Sequence, residues 1–452
     1  MRMARAVVVL AALSTSGCAP AISGSADSIN RLEQARTTDP NSAGVQRSLG
    51  IAYFKANRYP EAKIALQKAA SMDANDGVAA LYLGLNAEAQ NDFPAARTAY
   101  ESYLRVGKTR GVKNQISERL VVVTRRENEA AAKLAVAQER QLGSIPGPPT
   151  TVAVMPFTFA GPDTNYKPLE RGFAELVTTD LSRSARLTVL ERARLQALLD
   201  EIALQRTTGV QTGTGVRAGK ILQAGRLVGG SITQVGNDQL SVNAIVTNVQ
   251  TTRIEGAGAR GQQALDQLFN LEKTIVLGLF TDMNVTLTTA ERTAIEQRPT
   301  RSLQAFLAYS RGLEAMDRGR YDDASRQFDN AVRIDPSFGT AQQKSQEAKS
   351  GAAGTAVTAT SVEQGLRGTT EGAAVAAAGQ GSASSGSTGS SAATVADGLN
   401  PSTAGGATSG GVASSSTPAS SSTSQTAASA TGANNPSTKT GKVTIVISQP
   451  RP

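Results

Sequence analysis

Residues 151–157 read TVAVMPF, a short apolar run that ends at a proline and a phenylalanine. A run of this length and composition is typical of a buried β-strand. Pro168 then opens a segment in which leucine, phenylalanine and valine residues recur on one helical face. Residues 187–190 (LTVL) form a second short apolar run, and a second amphipathic segment follows it. The sequence therefore predicts a strand–helix–strand–helix unit.

The downstream sequence predicts a meander of longer strands. Residues 226–235 and 239–249 flank the sequence GND (236–238), which is typical of a tight hairpin turn. A third strand is expected at about 253–260, and residues 265–280 form a long apolar helix. With a short helix before the hairpin, the element order is βαβααβββα. This order predicts a mixed sheet with helices packed on it.

The element order and six motifs of residues 150–290 resemble the CsgG-like family of envelope lipoproteins, whose fold is related to the N-terminal domain of TolB. In that family the pattern marks the fold and not catalysis; we expect Glu191 and Arg192 to tie the second strand to the next helix. The family's secretion channel inserts two membrane hairpins per subunit, but the GND turn is too short to hold one. The resemblance therefore implies the scaffold without the membrane hairpins. The motifs are VAVMPF (152–157), GFAEL (172–176), TDLS (179–182), VLER (189–192), LQALLD (195–200) and LVGGSI (227–232).

Residues 26–111 contain an internal repeat. Leu49-Gly50 recurs 34 residues later as Leu83-Gly84, with small and large apolar residues at fixed offsets after each pair. This period and pattern resemble the tetratricopeptide repeat, in which paired helices bury a common stripe. By analogy with that family, the inner face of the repeats would bind a partner. The inner positions are Arg47, Phe54, Lys55, Leu81 and Glu88.

Two further helical regions are expected. Residues 112–145 predict a capping and spacer helix whose alanine-rich second half is solvated, before a Pro/Gly-rich break. Residues 300–349 match the repeat offsets once more and predict a tetratricopeptide-like hairpin. Because a lone repeat cannot bury its faces, we expect it to pack on the N-terminal repeats or on the middle domain.

Composition excludes several classes of function. The chain has 452 residues, no histidine, one cysteine and a formal net charge of +9. The usual zinc sites and the serine–histidine and cysteine–histidine catalytic sites are therefore excluded. The basic residues are dispersed, so no nucleic-acid partner is expected. We predict a protein that is not an enzyme, with no catalytic residue, no cofactor and no metal.

The N terminus predicts export. Residues 1–18 contain two arginines, then a short apolar run, and then the small residues Thr15-Ser16-Gly17 before Cys18. This pattern resembles a lipoprotein signal peptide, which implies a lipid on Cys18. Ala19 after that position is compatible with sorting to the outer membrane. The alternative is ordinary cleavage after Ala21, which would discard the cysteine.

The C-terminal part changes character. Residues 350–441 are rich in serine, alanine, threonine and glycine, so we expect a disordered linker that is either a passive spacer or a glycosylated tether. Polar and apolar residues alternate over residues 442–449, which predicts a terminal β-strand. This strand would add to the protein's own sheet or to that of a partner.

The sequence as a whole predicts an α+β protein. It would combine an N-terminal tetratricopeptide α-solenoid, a central mixed α/β sandwich of the CsgG and TolB N-terminal type, one further helical repeat and a disordered tail. The predicted function is a lipid-anchored periplasmic scaffold that binds envelope proteins and supports assembly or secretion at the outer membrane. Its middle domain would supply either self-association into a homo-oligomer or contact with an envelope machine. The alternative is a lipoprotein regulator that activates a cell-wall synthesis enzyme.

Overall fold

The computed structural model describes residues 23–204 and 213–377, which all lie within one unit of the chain. The N-terminal part consists of paired antiparallel helices. Gly50 and Gly84 permit the close approach within each pair, because an added Cβ would lie 2.5 Å from Leu66 Cγ and 2.3 Å from Tyr100 Cδ1. The helices are α1 (Ala26–Thr38), α2 (Ala43–Lys55), α3 (Tyr59–Met72), α4 (Gly77–Ala89) and α5 (Phe93–Val106).

A long helix, α6 (Arg110–Ala137), joins the repeats to the middle of the chain, and the short helix α7 (Glu139–Leu142) follows it. Its first half packs on the repeats. The prediction of a solvated second half is wrong, because Ala132 and Val136 are buried in an apolar cluster with residues of the middle domain. Alanine is small enough to be buried against a neighbouring helix, so an alanine-rich stretch does not by itself indicate exposure.

The middle domain has the predicted mixed sheet, with strands in the order β3-β1-β4-β5-β6 and β2 paired with β4. Strand β1 runs parallel to β3 and β4, whereas β4, β5 and β6 form an antiparallel meander. Val235 pairs with Gln239, so the hairpin turn contains three residues, and Gly236 has a φ of 63° there. The strands are β1 (Thr151–Val154), β2 (Thr158–Ala160), β3 (Thr188–Val189), β4 (Arg226–Val235), β5 (Gln239–Asn248) and β6 (Ile254–Ala264).

Helices cover both faces of this sheet. Val152 and Val154 point into one apolar cluster, while Ala153 points into another, as the alternation of side chains along a strand requires. The first cluster contains helices α8 and α11, and the second contains α9, α10 and the end of α6. These helices are α8 (Leu169–Leu181), α9 (Arg192–Leu204), α10 (Thr214–Ile221) and α11 (Leu268–Asp282).

The helices that follow α11 pack against the middle domain, α6 and the repeats. The hairpin of α13 and α14 packs on the middle domain, as predicted: an added Cβ at Gly172 of α8 would lie 2.0 Å from Ser310 Oγ of α13. Helix α15 lies against α6 so closely that a Cβ at Gly354 would approach the Glu118 carbonyl oxygen to 2.1 Å. These helices are α12 (Thr289–Ile295), α13 (Leu303–Asp317), α14 (Tyr321–Ile334), α15 (Gly339–Ala356), α16 (Ala359–Leu366) and α17 (Thr370–Ala377).

The expected disorder from residue 350 is wrong for residues 350–377, which form the end of α15 and all of α16 and α17. Their low aromatic content suggested that they could not bury enough apolar surface, but they are stabilised by packing on helices far away in the sequence. Residues 378–441 of the predicted linker, the predicted strand 442–449 and the signal region with Cys18 lie outside the described residues.

The architecture is thus α+β, with N-terminal helical repeats, a central mixed sheet and further helices after it. None of the helices in residues 23–204 and 213–377 is both long and apolar enough to cross a membrane.

Candidate protein-interaction surface

The inner face of the N-terminal repeats is formed by α2, α4 and the start of α6. Three of the five predicted partner-binding residues have structural roles there. Arg47 Nη1 donates a hydrogen bond of 2.7 Å to Asp76 Oδ2, and the other oxygen of that carboxylate caps α4. Leu81 is completely buried. Neither of these side chains is available to a partner in this arrangement.

Glu88 is the third of these residues. Its carboxylate accepts a hydrogen bond of 2.9 Å from the Tyr100 hydroxyl and forms an ion pair with the guanidinium of Arg119 on α6. The burial of Tyr100 and the negative charge of Glu88 raise the pKa of that tyrosine. Glu88 therefore holds α4, α5 and α6 together and does not present a charge to a partner.

Phe54 and Lys55 do reach the groove on the inner face. The Phe54 ring is half-buried and lies edge-on to the Tyr82 ring, with 5.7 Å between their centroids. Lys55 Nζ lies 3.1 Å from Glu363 Oε2, which belongs to α16. Both residues therefore line the groove, and the chain itself contributes a segment to it.

The groove is occupied by residues 359–377, the helices α16 and α17. Val362 and Leu366 of α16 are buried in the same apolar cluster as the repeat helices. Gly365 lies so close to α6 that an added Cβ would meet Val112 Cγ2 at 2.9 Å. The Tyr82 hydroxyl donates a hydrogen bond of 2.9 Å to Glu363 Oε1, so Lys55 and Tyr82 share one carboxylate.

A second carboxylate lies at the start of α6. Glu371 is only 6% exposed and accepts hydrogen bonds from the backbone N–H groups of Lys108 (3.0 Å) and Thr109 (2.9 Å) and from the Tyr103 hydroxyl (3.1 Å). Thr109 is the N-cap of α6 but its own side chain makes no capping bond. Glu371 supplies the negative charge that stabilises this helix terminus.

The sequence contains local helix signals for this segment, although its composition, rich in serine, alanine, threonine and glycine, suggested disorder. Thr358 and Ser361 form a reciprocal capping box, and Val362 and Leu366 follow at helical spacing. Gly368 then has a φ of 74°, a value that favours glycine at a turn between helices. The docking of the segment on residues some 260 positions earlier has no such signal.

A second contact region between distant helices is formed by α6, α9 and α13–α15, which surround a cavity of about 430 Å³. Arg192 begins α9 there, and its guanidinium donates to Glu175 of α8 at 2.8 Å and to Asp317 of α13 at 2.6 Å. The expectation that Arg192 joins the second strand to the next helix is therefore corrected. This residue instead ties the C-terminal helical hairpin to the middle domain.

The middle domain also buries three ionisable groups that the sequence did not single out. Lys273 Nζ forms an ion pair with Asp180 of α8 and lies 3.0 Å from Glu272 Oε2. Burial, reinforced by the negative charge of Asp180, raises the pKa of Glu272 to about 8. These groups lie between two helices on one face of the sheet, with Glu272 inaccessible to solvent. Their role is therefore structural.

No group of three or more metal-ligating side chains with suitable geometry occurs within the described ranges.

Two family models that match parts of the chain agree with this architecture. Residues 135–268 match the family model described as curli production assembly/transport component CsgG, and residues 23–79 match a tetratricopeptide repeat model. No curated protein matches the chain. Among solved structures, the LpoB C-terminal domain from Salmonella enterica is similar at 13% identity, covering 30% of this chain and 98% of that chain, with a TM-score of 0.21. The chain thus combines a CsgG-like domain with tetratricopeptide repeats, an architecture that suggests a protein-interaction scaffold.

Proposed function

We propose that this chain is a lipid-anchored scaffold of the bacterial cell envelope that binds other proteins and supports assembly or secretion at the outer membrane. The observation that carries the proposal is the groove on the repeats, which holds a helical polypeptide segment through apolar contacts and two carboxylates. A face that binds one helical segment has the shape and the donors to bind another.

The CsgG-like domain supports the placement in the envelope, because the matching model is described as an assembly and transport component. The scaffold would assist such a machine without being its channel. Strands β4 and β5 are joined by a three-residue turn, and β6 runs directly into the helical region that begins at Leu265. Neither connection has room for an inserted membrane hairpin.

We also propose that the protein acts by binding and not by catalysis. The chain has no histidine and one cysteine, so the commonest general base and the common thiol and zinc chemistries are missing from it. The strongly perturbed carboxyl group, Glu272, lies in the interior with no exposed surface, where a substrate could not reach it.

Photocrosslinking in intact cells tests the scaffold function. A photoreactive phenylalanine analogue at position 54 replaces a half-buried groove residue and leaves Lys55 in place, whereas the same analogue at position 64 replaces an isoleucine that is 69% exposed on α3. We expect position 54 to capture an envelope assembly or secretion protein that position 64 does not capture. Capture of cytosolic proteins alone would refute the proposal, and specific capture of a peptidoglycan synthase would favour the regulator alternative.

Metabolic labelling with a palmitate analogue tests the anchor. The unmodified chain should incorporate the label, and Cys18→Ala should not, because the thiol is the attachment point. A matched Ser16→Ala chain controls for general effects on export. Equal labelling of the Cys18→Ala and unmodified chains would contradict the lipid anchor.

A further inference from the structure

The groove on the repeats contains two separate carboxylate-binding sites, each of which we call a seat. At the first, the N–H groups of Lys108 and Thr109 and the Tyr103 hydroxyl converge on Glu371. Three donors around one buried carboxylate form a charge-assisted site that neutral side chains would not satisfy. Burial and the charge of Glu371 raise the pKa of Tyr103, which keeps its hydroxyl protonated as a donor.

Two glycines give this seat its room. An added Cβ at Gly77, the first residue of α4, would lie 2.6 Å from Glu371 Oε1. An added Cβ at Gly107 would lie 2.4 Å from Tyr103 Cε2. The repeats therefore leave space at this point that the incoming carboxylate and the tyrosine ring use.

The second seat consists of Lys55 and Tyr82, which both contact Glu363. Glu363 and Glu371 are eight positions apart and lie on successive helices joined by a turn at Gly368. The groove thus recognises a specific pattern, a helical segment with two carboxylates and with apolar residues between them.

The segment that fills the groove has features of a displaceable ligand. Its helices α16 and α17 have eight residues each, a length at which helices are not stable in water without tertiary contacts. A cavity of about 380 Å³ remains beside the segment, bordered by Lys55, Tyr82 and Leu366.

We propose that residues 359–377 are a built-in ligand that covers the groove, and that the groove's partner is an acidic helical segment that presents two carboxylates in the same pattern. The partner binds when it displaces α16 and α17, so the free protein is held in a closed state. This inference rests on the proposed scaffold function and identifies the chemistry of its partner.

A synthetic peptide with the sequence of residues 357–377, labelled with a fluorophore, tests the proposal on the full-length chain. Substituting both carboxylates in the chain, E363Q/E371Q, weakens the internal ligand but leaves the receptor groups unchanged. Because the internal segment reduces the fraction of open grooves, we expect the peptide to bind this variant at least about tenfold more tightly than the unmodified chain. Hydrogen exchange of residues 359–377 should be faster in the variant.

Three controls make the result specific. A peptide with both glutamates changed to glutamine should not bind, and Lys55→Ala in the E363Q/E371Q chain should weaken binding of the acidic peptide. Glu101→Gln, which alters an exposed carboxylate paired with Arg97 within α5, should leave binding unchanged. Equal peptide affinity for the unmodified and E363Q/E371Q chains, or equal affinity for the acidic and neutral peptides, would overturn the proposal. Because binding of purified chains does not depend on compartment, such a failure is distinguishable from failure of the anchoring and crosslinking tests.

Discussion

Gly354→Ala should separate the C-terminal helices from α6. The added Cβ would lie 2.1 Å from the Glu118 carbonyl oxygen and 2.6 Å from its carbonyl carbon, whereas ordinary contact begins at 3.4 Å. The obstructing atoms belong to the backbone in the middle of a long helix, so no side chain can rotate away. Helix α15 must therefore move by about 1 Å, which also disturbs the hydrogen bond of 3.0 Å from Arg119 to the Gly354 carbonyl.

The size of the effect follows from two opposing contributions. Overpacking of this kind costs up to about 3 kcal/mol. Alanine is favoured over glycine in a helix by about 1 kcal/mol, so the net loss of unfolding free energy should be about 2 kcal/mol. Gly339→Ala is the matched control, since it changes the same helix at a position with nothing within 4 Å of the added Cβ. That variant should be unchanged or more stable by up to about 1 kcal/mol.

The chain contains no tryptophan, so unfolding is best followed by far-ultraviolet circular dichroism in urea. Hydrogen exchange adds local information, because residues 359–377 follow α15 directly and should lose protection in Gly354→Ala. If Gly354→Ala is as stable as Gly339→Ala and protects residues 359–377 equally, α15 does not lie on α6 as described.

Two further predictions concern buried charges. Because the pKa of Glu272 is raised to about 8, its contribution to stability is fully present below its ordinary pKa of 4.5 and is lost as pH rises toward and through 8. The raised pKa of Asp180 acts in the same direction. Thermal unfolding at pH 6 and pH 9 should therefore differ less in Glu272→Gln than in the unmodified chain; an unchanged difference would refute the assignment. Arg192→Ala should lower the unfolding free energy by about 2–3 kcal/mol, because Glu175 and Asp317 lose their shared partner while Asp317 keeps Arg171 at 3.1 Å. Arg326→Ala, at an exposed pair within one helix, should change the unfolding free energy by less than about 1 kcal/mol. Equal effects of the two substitutions, measured by urea unfolding, would contradict the network.

Local patterns were sufficient to predict most of the elements. The period of 34 residues predicted the paired helices because Gly50 and Gly84 must lie at crowded contacts. The GND turn predicted the hairpin because its register is set by residues close together in sequence. Both signals are local, and so they can be read from the chain without knowing what it packs against.

The partner-binding surface was predicted less well. Residues on the inner helices were chosen by analogy. The tertiary structure alone decided that Arg47 and Glu88 make ion pairs within the repeats and α6, while Lys55 faces the groove and pairs there with Glu363 of α16. A charged residue at an inner position looks the same in the sequence whether its partner is internal or external.

The sequence by itself determined the elements, since periodicity, turn residues and caps act over a few positions. The tertiary structure decided which surfaces meet. Glu371 caps α6 from 262 residues away, and alanine-rich stretches become buried because a neighbouring helix covers them. Such contacts depend on the shapes of two distant surfaces, and neither stretch of sequence carries information about the other that a local pattern could reveal.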